Sequence, residues 1–283
     1  MNSDNIKSTG YTLLTKNGLP IITDDRFTAL GVEHGFTTRR GGVSTGEFES
    51  LNLCFSEERS DSHENVEKNH SILLNAFDTA PENAVRSHQL HTNTTEIADT
   101  VGGTGFILPD FAHGVDGLIS RTSGQLLIVR MADCLPMLLY DKFTGAIGAV
   151  HSGWKGTIQR IGAKTADMMC SIYNSRKSDI LVSFGPSVGS CCYEVGEEFR
   201  RDFIATHGTE LKPAFKKTGG SLRADMRLIN RILLEKVGIP SENITVYQPC
   251  TCCNAEYFFS YRRQKTQRGT MAAVIKCPKI IKG

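Results

Sequence analysis

Apolar positions along the chain fall into two kinds of pattern. Short, dense runs cover residues 117–120, 125–130, 136–140 and 145–151, each bounded by turn residues, as strands are. The run Phe143-Thr144-Gly145 reads as a hairpin turn, so the last two strands are expected to be antiparallel neighbours. Helical spacing appears over residues 157–173, with Ile158, Ile161, Met168 and Ile172 as the stripe and Thr165 interrupting it. Residues 225–237 read as a second helix, with Asp225 as N-cap, Leu228, Ile229, Ile232 and Leu233 buried, and Gly238 and Pro240 beyond its end. Residues 197–205 read as a third. Asp61 with Glu64 predicts a capping box opening a helix to about Phe77, carried by Val66, Ile72, Leu73 and Leu74. DILVSFG, ITVYQ and MAAVIK add strands. Strands and helices alternate irregularly, with hairpins among them. This predicts a mixed α/β (α+β) single layered domain with mixed sheets, not a doubly wound parallel sheet. Residues 1–30 are expected to be a peripheral segment, and residues 31–283 a single catalytic domain.

Composition narrows the class. The 283 residues are 40% hydrophobic and 22% charged, an ordinary globular balance. Lys and Arg number 32 against 30 Asp and Glu, a formal charge of +2 that gives no argument for nucleic acid or membrane surfaces. No apolar run reaches about 18 residues, and the first residues carry no signal-peptide pattern, so the cytoplasm is the expected compartment. Nine cysteines, an odd number, argue against a disulfide framework in such a chain.

Candidate chemistry concentrates in MADCLPMLLYDKFTGAIGAVHSGWKGT. Cys134 opens one predicted strand and His151 closes the next, so a hairpin brings them together. Thiolate and imidazole are zinc ligands and equally a nucleophile with its base, and the spacing leaves both readings open. In RSHQLHTNTTEI, His88 and His91 lie three apart in chain of extended character, so they point to opposite faces and one of them is expected to face the site. Cys250, Cys252 and Cys253 look like half a zinc knob. Cys191 and Cys192 are adjacent, not two apart, and no second metal is expected there. Arg262 and Arg263 in SYRRQ, with Arg40 in TTRRGG, are candidate anion hooks, and Gly41-Gly42 marks a turn or a close approach of backbone to ligand.

RGGVS, QLH, GVDGLIS, ADCLP, AVHSGWKG, GPSVGSCCYEV, SYRR and MAAVI occur in one order. Over residues 33–275 the chain resembles the YfiH/YlmD-like family, the laccase-domain proteins once called multicopper polyphenol oxidases and now described as purine nucleoside phosphorylases. The resemblance implies a fold related to cysteine hydrolases and a zinc site of His91, Cys134 and His151, with copper as a substitute. It implies phosphorolysis of adenosine, inosine, guanosine and methylthioadenosine, with purine nucleosides and phosphate as partners, and deamination of adenosine. His88 has no role in that pattern, and Thr92 stands where the family carries a glycine or small residue. Three protein ligands leave a position open, as catalytic zinc requires. Cys134 and His151, with Asp116 and Asp133 as candidate acids or bases, are the expected catalytic residues. Arg40, through a guanidinium fork suited to phosphate or ribose oxygens, and Gln89 are the expected substrate contacts.

Rival readings follow from the same residues. A multicopper oxidase needs about ten histidines, many in His-x-His pairs; this chain has 8, scattered and unpaired, which leaves a single copper oxidising phenols as the oxidase reading. Cys134 as nucleophile with His151 as base would make a cysteine hydrolase, including an editor of cell-wall precursors. A binding module with a structural zinc is the non-enzymatic reading.

Overall fold

A computed structural model describes residues 6–54, 61–99 and 113–278. Its strands are β1 (Tyr11–Lys16), β2 (Leu19–Asp24), β3 (His34–Thr37), β4 (Ala84–Arg86), β5 (Thr95–Ile97), β6 (Gly117–Ser120) and β7 (Leu126–Met131). They continue as β8 (Leu135–Asp141), β9 (Ile147–Ser152), β10 (Ile180–Phe184), β11 (Phe215–Thr218), β12 (Ser221–Ala224), β13 (Ile244–Val246) and β14 (Met271–Lys276). The helices are α1 (Asp25–Ala29), α2 (His63–Ala76), α3 (Trp154–Ile158), α4 (Ile161–Tyr173), α5 (Glu197–His207), α6 (Met226–Lys236) and α7 (Tyr261–Gln264).

Two six-stranded mixed sheets, β1-β2-β3-β14-β7-β4 and β13-β10-β8-β9-β6-β5, stack face to face, and β11-β12 forms a separate hairpin. Alternation along β7 explains the stacking. Leu127, Val129 and Met131 enter the core between the sheets with Leu138, Ile147 and Ala149 of the other sheet. Leu126 and Ile128 point the other way, onto Leu73, Leu74 and Phe77 at the end of α2. The second sheet likewise turns Met137, Leu139 and Val150 onto Ile161, Ala166 and Met169 of α4. The order of layers is helix, sheet, sheet, helix. With both faces of the central strands covered, those strands read as unbroken apolar runs, the pattern seen in the sequence. This is the mixed α/β single domain expected.

Part of the N-terminal segment joins the first sheet. Residues 1–5 lie outside the described residues, but β1 and β2 extend the first sheet, and Leu19 and Ile21 are fully buried against α2. The turn between them, Asn17-Gly18, has both residues at positive φ (46° and 84°), the hairpin geometry that Asn-Gly favours. The α2 cap also shifts by one residue: Ser62, not Asp61, accepts from the Asn65 N–H. Asp61 instead is buried, accepting from Ser44 and Asn52.

The helix expected over 157–173 is two helices. Arg160, left-handed at φ 61°, separates α3 from α4. The cause lies in packing. Ile158 faces the small core built on α5, α6 and β12, whereas Ile161 faces the second sheet, and one straight helix cannot serve both. Ile172 is exposed, and the buried stripe of α4 runs through Thr165, whose hydroxyl bonds to Thr95. The helix over residues 225–237 holds, with the Asp225 carboxylate accepting from the N–H groups of Arg227 and Leu228.

Candidate metal centre and substrate pocket

The β8–β9 hairpin pairs Leu135 with Ser152 and Pro136 with His151. Cys134, one residue before β8, therefore lies beside His151 near the end of β9. Strand β6 pairs with β9 on its other side, Gly117 opposite Val150, which sets Asp116 next to His151. The His151 N–H donates to the Asp116 carbonyl at 2.7 Å, and Nδ1 lies 2.7 Å from Asp116 Oδ1. A carboxylate only accepts, so Nδ1 carries the hydrogen and the Nε2 lone pair is left for the site.

Asp116 also brings in His91. Its carboxylate accepts from the backbone N–H groups of Leu90 (3.2 Å), His91 (3.2 Å) and Thr92 (2.7 Å), and from the Thr92 hydroxyl at 2.8 Å. This winds residues 90–92 around the carboxylate and puts His91 in the left-handed region at φ 59°. His91 therefore reaches the site from a tight loop, not from the extended chain expected. Thr92, the departure from the family pattern, supplies two of the bonds, one of them from its side chain. Burial works against the charge on Asp116, but the bonds from His151 and Thr92 hold its carboxyl below the usual range.

The candidate ligand atoms of His91, Cys134 and His151 all lie within 4.8 Å of one another. His88 is not in that group. Gly153 closes the cradle: a Cβ there would come 2.8 Å from His91 Nδ1 and 3.3 Å from Cys134 Sγ. Burial opposes the Cys134 thiolate, yet the two imidazoles outweigh it and bring the thiol down to about 6. Burial likewise disfavours His151 as a cation, and the Cys134 thiolate with Asp116 outweighs it, raising the imidazole to about 9. Two nitrogens and one thiolate on an open cradle fit a zinc or copper ion with a free position.

The centre opens into a cavity of about 570 Å³, within the roughly 300–1,000 Å³ of small-molecule sites. Its walls carry Lys155, Arg262, Lys265 and Arg268 as cations and Trp154, Tyr193 and Tyr261 as rings. Arg262 stacks on Tyr193 at 5.1 Å and Arg268 on Tyr261 at 4.9 Å. Another cavity of about 610 Å³ lies beside β1, between Ile6 and Tyr247, away from the His/Cys set.

Four of the expected site residues lie as follows. Arg40 does not line the pocket; it pairs with Glu256 and covers the Tyr257 ring at 4.6 Å. Gly42, two residues on, serves packing of backbone, since a Cβ would meet Ser50 O at 2.2 Å. Gln89 is absent from the lining too, because its amide clips the backbone of Arg130 in both directions at 2.7 Å. Asp116 is fully buried behind the ligands as their support. Asp133 borders the pocket at φ 90°, but its carboxylate is engaged by Thr251 (2.5 Å), Ser260 (3.0 Å) and the Arg262 N–H (2.6 Å). Both carboxylates are thus engaged by hydrogen bonds from the elements around the site. Arg263 is held by the carbonyls of Thr251, Cys252 and Phe258, whereas Arg262 faces the pocket. The motifs HSGWKG, CCYEV and SYRR contained Lys155, Tyr193 and Arg262, but no local signal pointed to Lys265 or Arg268.

Residues 33–278 match the family model described as multi-copper polyphenol oxidoreductase laccase. A protein of Deinococcus radiodurans named purine nucleoside phosphorylase is 36% identical over 94% of this chain and 96% of its own length. The crystal structure of Bacillus licheniformis hypothetical protein YfiH superposes with a TM-score of 0.86 at 29% identity, covering 95% of this chain and 99% of that one. YlmD from Geobacillus stearothermophilus follows at 0.83 and 27% identity, with 95% and 99% covered.

Proposed function

The chain belongs to the family described as multi-copper polyphenol oxidoreductase laccase, and on that premise we propose that it is a zinc-dependent purine nucleoside phosphorylase. Its substrates are adenosine, inosine, guanosine and methylthioadenosine, and it also deaminates adenosine. The observation that carries this reading is a His91/Cys134/His151 donor set opening on a pocket walled by cations and aromatic rings. The name of the Deinococcus relative agrees with it.

His91, Cys134 and His151 would hold the zinc ion, or copper in its place, and the ion would supply a Lewis-acidic centre there. Asp116 fixes the tautomer of His151 and the loop of His91, so the donor set is preorganised. Trp154, Tyr193 and Tyr261 offer ring faces to a purine, and Lys155, Arg262 and Arg268 offer positive charge to phosphate. In phosphorolysis a phosphate oxygen bonds to the ribose anomeric carbon, the bond to the base breaks, and the base takes a proton.

The test is mass spectrometry of a nucleoside mixture with and without phosphate. Free base and ribose 1-phosphate should appear only with phosphate, inosine should form from adenosine in either case, and His151→Ala should abolish both. Base release independent of phosphate, or no turnover by zinc-loaded protein, would overturn the reading. One observation favours a second reading. Cys134, His151 and Asp116 also form a nucleophile, base and orienting acid, with the thiol already at about 6. If Cys134 is a ligand, zinc will protect it from alkylation; if zinc leaves its alkylation rate unchanged, the hydrolase reading stands instead.

A further inference from the structure

The cysteines for which the sequence promised no metal meet in space. Cys191 and Cys192 lie in the loop after β10, and Cys250 and Cys253 in the loop after β13. The two loops dock through their backbones, with a bridge between Ser187 and Cys250 and a bond from the Thr251 N–H to Ser187 O at 3.1 Å. All four sulfurs lie within 4.8 Å of one another, with Cys192–Cys253 at 3.4 Å and Cys191–Cys253 at 3.6 Å. A tetrahedral zinc with Zn–S bonds of about 2.3 Å sets its sulfurs about 3.8 Å apart.

Three further features suit a thiolate cluster. The Gly189 N–H donates to Cys250 Sγ at 3.1 Å, a bond that favours the thiolate form. A Cβ at Gly189 would press on Cys191 Sγ at 3.2 Å, so glycine lets the thiols converge. Arg227 is a buried cation, 6% exposed, that donates to Ser187 and to the carbonyls of Ser187, Gln248 and Pro249, with the Asp225 carboxylate near enough to favour its charge. Buried charges are expected to be paired. Zinc with four thiolates leaves the cluster anionic, and it lies beside Arg227.

We propose that Cys191, Cys192, Cys250 and Cys253 bind a second, structural zinc ion that clamps one wall of the substrate pocket. Binding releases the thiol protons to solvent and forms four Zn–S bonds, with no change of oxidation state. Adjacent cysteines serve because the turn at Gly189, which accepts from the N–H groups of Cys192 and Tyr193, folds the Cys191-Cys192 pair toward the opposite loop. The clamp bears on the pocket through Val188, whose N–H donates to Asp133 O, and through Thr251, whose hydroxyl holds the Asp133 carboxylate.

The test uses the full chain and does not depend on turnover. Native mass spectrometry with metal analysis of the protein purified in reducing buffer from zinc-supplemented cells should find about two zinc ions per chain. Cys134→Ala should keep one, and Cys191→Ser with Cys253→Ser should keep only the one at the histidines. Cobalt added to zinc-stripped Cys134→Ala should develop the sulfur-to-metal charge-transfer absorption of a tetrathiolate and protect these four cysteines from alkylation. A folded Cys134→Ala protein that holds no zinc and binds no cobalt would overturn the proposal. So would a Cys191–Cys253 or Cys192–Cys253 disulfide in protein kept reduced.

Discussion

Asp116→Asn changes one atom of the site and tests the whole arrangement around it. Oδ1 accepts from the His91 N–H and from His151 Nδ1, while Oδ2 accepts from the Leu90 and Thr92 N–H groups and the Thr92 hydroxyl. An asparagine must turn its amide donors toward one of these sets. Facing Leu90 and Thr92, it opposes two backbone donors. Facing His91 and His151, it opposes one backbone donor and forces His151 to move its hydrogen to Nε2, where the metal lone pair was. Two charge-assisted bonds at about 1.5–3 kcal/mol each are at stake, so the metal-free protein should lose roughly 3–6 kcal/mol of stability in urea unfolding. Removing such outer support costs about 10–100-fold in metal affinity, which competition with a chromophoric chelator would read directly. Zinc affinity equal to the parent in a folded Asp116→Asn protein would refute the view that Asp116 sets the tautomer and the His91 loop.

Arg262→Ala should raise KM for phosphate roughly tenfold with zinc content unchanged, since a charge-assisted contact is worth about 1.5–3 kcal/mol; Arg40→Ala should leave turnover alone, and the opposite pattern would restore Arg40 as the substrate contact. Gly153→Ala puts a methyl 2.8 Å from His91 Nδ1, so isothermal titration should show weakened zinc binding; parent-like affinity would mean the ligands have room to spare. His70, buried in the first helical layer, is pushed down to about 3 by burial, with Arg86 and Arg130 adding to the effect. Its folded value is below the unfolded value of about 6.5, so the unfolded chain binds the extra proton and stability, full above pH 6.5, falls as pH drops toward 3. At pH 5 the loss is about 2 kcal/mol; His70→Asn should flatten that part of the stability–pH curve, and an unchanged slope would assign it to other groups.

The legible parts of the site were those written into adjacent elements. The hairpin turn at residues 143–145 was readable, and once β8 and β9 pair, Cys134 and His151 must meet. The Asn17-Gly18 hairpin is equally written in the chain, but its strands lack the dense apolar character that marks the central ones. The break at Arg160 was not readable, since Ile158 and Ile161 fit one helical stripe and only the presence of two cores divides them. Arg40 and Arg262 have identical chemistry and similar flanks; their different roles follow from which loop borders the pocket.

What the sequence determined by itself is local: the period of each run, the turn that closes each hairpin, the caps, and the motifs that mark the family. These depend on neighbours a few residues apart, where backbone sterics and side-chain period act directly. Tertiary structure alone decided the rest. It set Asp116 behind both His151 and the His91 loop, engaged the Asp133 carboxylate, and brought Cys191 and Cys192 to Cys250 and Cys253. Those meetings join residues tens of positions apart, and nothing in either segment encodes its partner. They follow from the stacking of two sheets that bury both faces, which fixes where every loop at their edges must end.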